Sequence, residues 1–305
     1  MDQLYAIANW FVSHAGSFYA IAITIVAAST PLLIAALGEL VVERSGVLNL
    51  GVEGMMIIGA VTGFVATFLS GNPYIGILAA ILGGALLSLL FGFLTLTLLA
   101  NQVATGLAIT LLGVGLSSLI GESFVGQPIQ RLPSFYGFNI LIVMSFVLTA
   151  VVSWVLFRTR LGLMVRAVGD NHTSAHAMGF SVIGLRYACV AFGGACAGLA
   201  GGYLSIADTP QWVENMTAGR GWIALALVVF ATWLPKRLLF GAYLFGTISI
   251  FSFTVQTFAW GIPSQLLSCT PYLVTVVALV VISRNKRLLR ANTPACLGQA
   301  FVADR

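Results

Sequence analysis

A polar interruption at residues 45–54, reading SGVLNLGVEG, lies between two long apolar runs of this chain. It contains three glycines, the amide Asn49 and the acid Glu53. The hydrocarbon core of a bilayer offers no water to unpaired backbone groups, so a break here must be buried in protein or face a wet cavity. The sequence therefore predicts a broken helix in a membrane protein, with an ionisable group that is a functional candidate.

The composition places most of the chain in a membrane. Hydrophobic residues make up 59% of the 305 residues and charged residues only 8%, whereas about a quarter of a soluble domain is charged. Apolar segments near the ~20 residues that cross a bilayer recur along the chain. We expect an all-α polytopic membrane protein of about eight to ten transmembrane helices, some of them broken. Counting nine, after an interfacial helix at 2–14, the spans are 17–38, 51–69, 74–98, 103–121, 139–157, 187–207, 219–235, 238–260 and 268–284.

The positions of lysine and arginine predict the orientation of the chain. If loop 158–186 is cytoplasmic, alternation through nine spans places 12 of the 14 basic residues on the cytoplasmic side. Because basic loops stay inside, the N-terminus is expected outside and the C-terminus in the cytoplasm. We divide the chain into a transmembrane domain at 1–290, which includes that loop, and a polar cytoplasmic tail at 291–305, which we expect to be disordered.

The interruption at 45–54 supplies candidates for a substrate pathway. Asn49 and Glu53 are four residues apart and would share a helix face, and Phe64 and Phe68 could add apolar walls further along. Broken helices line the substrate sites of many transporters. The alternative is a set of interfacial charges that pair with one another. The topology favours a gate or interface role for the charges nearest the cytoplasm, which are Glu39, Glu43 and Arg44.

The loop at 158–186 predicts a short helix on the cytoplasmic side. Asp170 or Asn171 can cap its start and Gly179 can end it. Such a helix would expose small side chains and one methionine to a groove on a soluble partner, although a plain solvated loop is the alternative. The two histidines of the loop lack a third ligand, so no metal site is expected. The predicted partner contacts are Gly169, Asp170, Asn171, Thr173, Ala175, Met178 and Gly179.

A second interruption, NMTAGRGW at residues 215–222, precedes another apolar helix. Its glycines and its arginine stand at a helix start, where free N–H groups favour an anion. It echoes residues 45–54 and suggests a possible internal two-fold repeat of the transporter kind. The alternative is an outer loop that Trp212 and Trp222 anchor in the aromatic belt of the membrane.

A run of small residues at 188–202, ACVAFGGACAGLAGG, repeats glycine every four positions. Such a face lets helix backbones approach closely. Packing within the chain is the favoured interpretation, and a subunit interface is the alternative.

Several functional classes lack the residues they need. The sequence has no GxxxxGK[ST] phosphate loop and no serine, histidine and aspartate grouping in a plausible membrane register. We therefore expect no enzyme activity and no cofactor on this chain. If transport is driven by ATP, the nucleotide and its Mg²⁺ must bind another chain. The basic residues lie in loops beside spans, so no nucleic acid is expected as a partner.

Five segments together resemble the signature of permease subunits of bacterial ABC importers, in the branch for simple sugars and nucleosides, which is related to the ribose-type and branched-chain amino-acid permeases. The resemblance covers nearly the whole chain in order. It departs from the family at His172, where a proline is usual, and at 230–233, which read FATW in place of FG-x-W. The segments are PLLIAALGEL at 31–40, ERSGVLNLGVEGMM at 43–56, the loop at 158–179, ENMTAGRGWIAL at 214–225 and PSQLLSCTPYL at 263–273.

The resemblance implies a function and a set of partners. It implies alternating access in a bacterial plasma membrane, import of a nucleoside or simple sugar, and coupling through the helix at 170–179. The implied partners are a second permease chain, identical or different, a cytoplasmic ATP-binding subunit and an extracytoplasmic substrate-binding protein, besides membrane lipid. The alternatives are a stand-alone proton-coupled secondary transporter, with Glu53 as the titrating group, and a membrane-embedded enzyme.

Overall fold

A computed structural model describes residues 2–257, 266–267, 269–283 and 292–302 of the chain. The described part is almost entirely helical, with one short hairpin of β1 (Ser134–Phe135) and β2 (Phe138–Asn139). Helices α3 and α8 continue as the π-helical turns Phe93–Thr97 and Tyr203–Asp208, and α4 continues as the 3₁₀ turn Glu122–Phe124. The helices are α1 (Asp2–Arg44), α2 (Val52–Ser70), α3 (Pro73–Gly92), α4 (Gln102–Gly121), α5 (Ile140–Arg158), α6 (Arg160–Asp170), α7 (His172–Ala177), α8 (Val182–Gly202), α9 (Arg220–Phe230), α10 (Pro235–Thr257) and α11 (Thr270–Ser283).

Seven helical segments of the described residues are long and apolar enough to cross a membrane. This confirms the predicted all-α polytopic fold. Two predicted spans, 219–235 and 268–284, correspond to the shorter helices α9, of 11 residues, and α11, of 14 residues. The last three residues of the predicted span 238–260 lie outside the described residues. The seven segments are Tyr19–Arg44, Val52–Ser70, Pro73–Thr97, Gln102–Phe124, Ile140–Arg158, Val182–Asp208 and Pro235–Gln256.

Helix α1 differs from the prediction of an interfacial helix that ends near Gly16. It is continuous over 43 residues, because one glycine costs a helix only about 1 kcal/mol and does not end it. Pro31 lies inside the same helix. The two hydroxyls before it donate to carbonyls one turn back, Ser29 to Ile25 at 2.7 Å and Thr30 to Val26 at 2.8 Å.

The small-residue face of α8 packs against other helices of the same chain. Gly198 lies against the backbone of Gly84 on α3 and of Gly59 on α2, and Gly201 lies against Met56 on α2. A side chain at either position would collide with backbone atoms. The interpretation of residues 188–202 as an intramolecular packing face therefore agrees with these contacts. Helix α2 is the most buried of the seven apolar segments.

The tail differs from the predicted disorder over its described part, 292–302. The amide of Cys296 donates to the carbonyl of Gly169 at 2.9 Å, and the amide of Gly298 donates to the carbonyl of Gly46 at 3.1 Å. Phe301 is 7% exposed in a small apolar cluster with Val168, Ala175 and Val182. The polar composition of the tail gave no indication of this docking, because the docking depends on backbone hydrogen bonds and on one aromatic side chain.

Candidate functional site

The first interruption is a tight turn that the side chain of Asn49 holds together. Helix α1 ends at Arg44, the backbone turns through Gly46 at φ +86°, and α2 begins at Val52. The carboxylate of Glu39 accepts from the amide and the side-chain nitrogen of Asn49, both at 3.3 Å. The Asn49 oxygen accepts from the amide of Gly51 at 3.0 Å. Asn49 is fully buried, so in this conformation it stabilises the turn.

The two remaining charges before the interruption contact the turn between α9 and α10. Glu43 accepts a 2.5 Å hydrogen bond from the indole nitrogen of Trp233. The Arg44 guanidinium donates to the carbonyl of Trp233 at 2.9 and 3.2 Å. Thr232 and Trp233 both have positive φ angles, +50° and +54°, which residues other than glycine rarely adopt. Glu43 and Arg44 therefore clamp a strained turn. All three of these hydrogen bonds run to Trp233, and none of them joins Glu43 to Arg44.

Glu53 connects the first interruption to the second. Its Oε1 accepts from the hydroxyl of Thr217 at 2.6 Å and from the amide of Gly219 at 2.9 Å. Its Oε2 accepts from the amide of Gly221 at 2.6 Å. A carboxylate at the N-terminus of α9 satisfies the free N–H groups of the helix and complements its dipole. The structure thus brings together two motifs that the sequence related only by a weak echo.

The aromatic candidates lie further along α2, towards its other end. Phe64 follows Glu53 by eleven residues, about 16 Å of helix. Its ring is fully buried, 6.4 Å from the ring of Phe68 and 6.4 Å from that of Phe124. Phe68 is 41% exposed. Asn49 and Glu53 therefore do not share a site with the two phenylalanines, and the pathway role of all four residues stays a prediction.

A polar cavity of about 380 Å³ lies beside the second interruption, between α1, α9, α10, α11 and the π-helical turn after α8. Arg220 lines it, and its two neighbours, Gly219 and Gly221, are the residues whose amides Glu53 binds. Hence Glu53 positions the arginine without lining the cavity itself. The polar side chains of the wall are Thr24, Asp208, Arg220, Ser249, Ser252, Gln256 and Tyr272.

Sequence reasoning missed this set of polar residues. Arg220 and Asp208 are the two wall residues that the sequence could have indicated, since each is a charge at the end of an apolar segment. The hydroxyls and Gln256 are spread over helices far apart in sequence, so only the fold brings them together. Such a wall offers hydrogen-bond donors and acceptors, one charge of each sign, and the flat ring of Tyr272. The remaining lining residues are apolar, so the cavity can both hydrogen-bond a small molecule and pack against it.

Helix α7 has the caps that the sequence predicted. The side chain of Asn171 accepts from the amide of Ser174 at 2.9 Å, and Gly179 follows the helix at φ +88° with open space around it. Met178 is 64% exposed. Two predicted contact residues, Gly169 and Ala175, are instead buried.

The burial of Gly169 and Ala175 has a local cause. Gly169 packs against the backbone of Arg44, and Ala175 lies in the cluster around Phe301. The exposed predicted contacts are therefore Asp170, Asn171, Thr173, Met178 and Gly179.

The rings of His172 and His176 each lie 5.3 Å from the ring of Phe301. Burial and the neighbouring Arg186 guanidinium lower the pKa of His172. Among the described residues, no group of three His, Cys, Asp or Glu side chains could hold a metal ion.

Comparison with known proteins identifies the family. The family described as "Branched-chain amino acid transport system / permease component" matches residues 21–283. The chain belongs to this permease family. The permease is a multi-pass membrane transport subunit and not an enzyme. No solved structure matches it.

Three relatives of the permease are similar over most of their length. A putative glucose ABC transporter permease protein, TsgC13 of Haloferax volcanii, is 37% identical over 90% of this chain and 95% of its own. The guanosine ABC transporter permease protein NupQ of Bacillus subtilis is 31% identical, over 91% and 94%. The nucleoside ABC transporter permease protein NupC of Lactococcus lactis is 30% identical, over 83% and 89%.

Proposed function

We propose that this permease is the membrane subunit of an ATP-driven importer whose substrate is a nucleoside or a simple sugar. The family match over residues 21–283 carries the proposal. The names of the three relatives support the substrate class, since they specify glucose, guanosine and nucleosides. Both substrate types present several hydroxyl groups, which suits the hydrogen-bonding wall of the 380 Å³ cavity.

The partners follow from the same proposal. A second permease chain completes the pathway, an extracytoplasmic protein delivers the substrate, and a cytoplasmic ATPase supplies the energy. ATP and Mg²⁺ bind that ATPase and not this chain. The permease lies in the plasma membrane with its N-terminus outside and its C-terminus in the cytoplasm, so α6, α7 and the tail face the ATPase. The lysine and arginine distribution supports this orientation.

The capped helix α7 is the element that we assign to the ATPase. It is short and rigidly attached, because Phe301 packs beneath Ala175 while Met178 stays exposed. Motion of the ATPase can therefore pass through Gly169 to the turn at Gly46, with which it is in contact. Alternating access needs about 5.5 kcal/mol of differential binding to shift a two-state equilibrium almost completely, and two ATP molecules are sufficient for this.

Substitution of Met178 tests the role of α7. We expect Met178→Asp to reduce ATP-driven uptake and co-purification of the ATPase by at least about tenfold, since a charge would be buried at a docked interface. Val213→Asp is the matched control for co-purification, because Val213 is also apolar and exposed, at 46%, but lies between α8 and α9, at the end of α8 away from α7. Equal co-purification by the two variants, at equal amounts in the membrane, would contradict the assignment.

The second candidate function is a stand-alone proton-coupled transporter with Glu53 as the titrating group. The hydrogen bonds of Glu53 argue against it. Both carboxylate oxygens accept from N–H or O–H donors, three in all, and protonation would disrupt at least one of these contacts. Uptake of substrate without any ATPase would favour this alternative.

A further inference from the structure

A second and larger cavity, of about 700 Å³, lies between α5 and the start of α10. Its wall along α5 includes Thr149, Trp154 and Phe157. Trp154 is 62% exposed and Phe157 is 37% exposed. No described residue lines both this cavity and the polar 380 Å³ cavity. The two cavities therefore have separate walls and can hold different ligands.

The two ends of this cavity differ in chemistry. At one end, three cations line it: Arg158 at the end of α5, and Lys236 and Arg237 at the start of α10. Among the described residues, none that lines it is acidic. Towards the other end, the ring of Phe146 stacks on that of Tyr243, with centroids 6.0 Å apart. The cavity is therefore apolar along its length and positively charged at its rim.

The length of the cavity matches one leaflet of a bilayer. Phe146 and Arg158, both in the lining, are twelve residues apart on α5, which is about 18 Å of helix. Half of the ~30 Å hydrocarbon core is about 15 Å. The cations consequently lie where lipid phosphates would be, at the membrane surface beside α6.

We propose that this cavity is a binding site for an anionic phospholipid. The phosphate would lie among Arg158, Lys236 and Arg237, and an acyl chain would lie along Trp154 and Phe157. Basic pockets between transmembrane helices are a recurrent form of lipid-headgroup site. A free phosphate or nucleotide would leave the aromatic wall exposed, and a neutral lipid would leave the three cations without a counter-charge.

The site adjoins the clamp that holds the α9–α10 turn. Arg237 donates to the hydroxyl of Thr232 at 2.8 Å, and Thr232 is one of the two residues of that turn with positive φ. The guanidinium of Arg44 lies 5.9 Å from the ring of Phe157. A bound lipid would thus touch the residues that stabilise the turn, which links lipid composition to the conformation of the transporter.

Quenching of Trp154 fluorescence measures occupancy of the cavity directly. The full permease complex is reconstituted in bilayers that contain either dibrominated phosphatidylglycerol or dibrominated phosphatidylcholine at the same mole fraction. The difference between wild type and Trp154→Phe isolates the signal of Trp154 from the other tryptophans. We expect phosphatidylglycerol to quench Trp154 at a several-fold lower mole fraction than phosphatidylcholine.

Two matched variants test the role of the cations. R158Q/K236Q removes two of the three charges, so the several-fold preference for phosphatidylglycerol should be largely lost. R158K/K236R keeps both charges and should keep the preference, and R160Q removes a charge outside the cavity and should also keep it. Equal quenching by the two lipids in the wild type would overturn the proposal, as would a preference that persists in R158Q/K236Q. Absence of quenching by either lipid would mean that a protein partner covers the cavity, and this would also overturn it.

Discussion

At the scale of single residues, Glu53 has an anchoring role in the fold that its sequence context did not reveal, and its role in the substrate pathway stays a prediction. An acid beside a glycine-rich break in a membrane helix is a natural candidate for substrate contact or for titration. The fold instead buries the carboxylate among Thr217 and the amides of Gly219 and Gly221. The sequence identified the important residue, but its partners lie more than 160 positions away along the chain. Only the tertiary structure could reveal that it is an anchor.

Substitution of Glu53 therefore tests an anchoring role. In Glu53→Gln the amide keeps one acceptor but turns a donor towards N–H or O–H groups, so we expect a loss of about 1–3 kcal/mol in stability. The loss should appear as a lower unfolding temperature of the purified permease, together with reduced transport. Glu122→Gln, at an exposed acid in the 3₁₀ turn after α4, is the control and should change neither. An unchanged unfolding temperature in Glu53→Gln would contradict the anchoring role.

At the scale of elements, glycines determine how closely α2 and α4 pack. A Cβ atom added at Gly113 would lie 2.6 Å from the Cα of Gly54, whereas one added at Gly115 would meet nothing within 4 Å. The interruption at 45–54 contains Gly46, Gly51 and Gly54. Among these three only Gly46 has a positive φ, and Gly54 is required by the approach of α4.

Alanine at these two neighbouring positions on α4 should have opposite effects. Gly113→Ala forces α2 and α4 apart, and we expect it to cost about 1–3 kcal/mol of stability. Gly115→Ala should be neutral or stabilising, by up to ~1 kcal/mol, because alanine is the better helix former. Thermal unfolding of the two purified variants measures the difference. Equal unfolding temperatures would show that the helices do not approach as closely as described.

The docking of the tail can be tested at the same scale. Phe301→Ala removes the ring between His172 and His176 and should expose α7 and the cluster around Ala175. We expect faster hydrogen exchange of the α7 amides by about tenfold or more, as measured by mass spectrometry. Val302→Ala changes an exposed neighbour and should leave exchange unchanged. Equal exchange in Phe301→Ala and the wild type would mean that the tail does not support α7.

At the scale of the whole molecule, the length of the apolar segments predicted the fold class well and the element boundaries less well. Runs of about 20 apolar residues are strong evidence for spans, so most predicted helices are present within a few residues. The exceptions have physical causes. A single Gly16 did not end α1, and α9 is short because the left-handed turn at Thr232 and Trp233 ends it early. The polar cavity depends on contacts between distant helices, and sequence reasoning had no access to it.

We propose that this permease imports its substrate only with energy from a partner ATPase. Uptake of radiolabelled guanosine and glucose into proteoliposomes tests it, with the permease, its ATPase and its binding protein reconstituted together or with the permease alone. We expect uptake of one of these substrates by the complete complex with ATP inside the vesicles, and none by the permease alone under an imposed proton gradient. Uptake by the permease alone, driven by that gradient and abolished in Glu53→Gln, would contradict it.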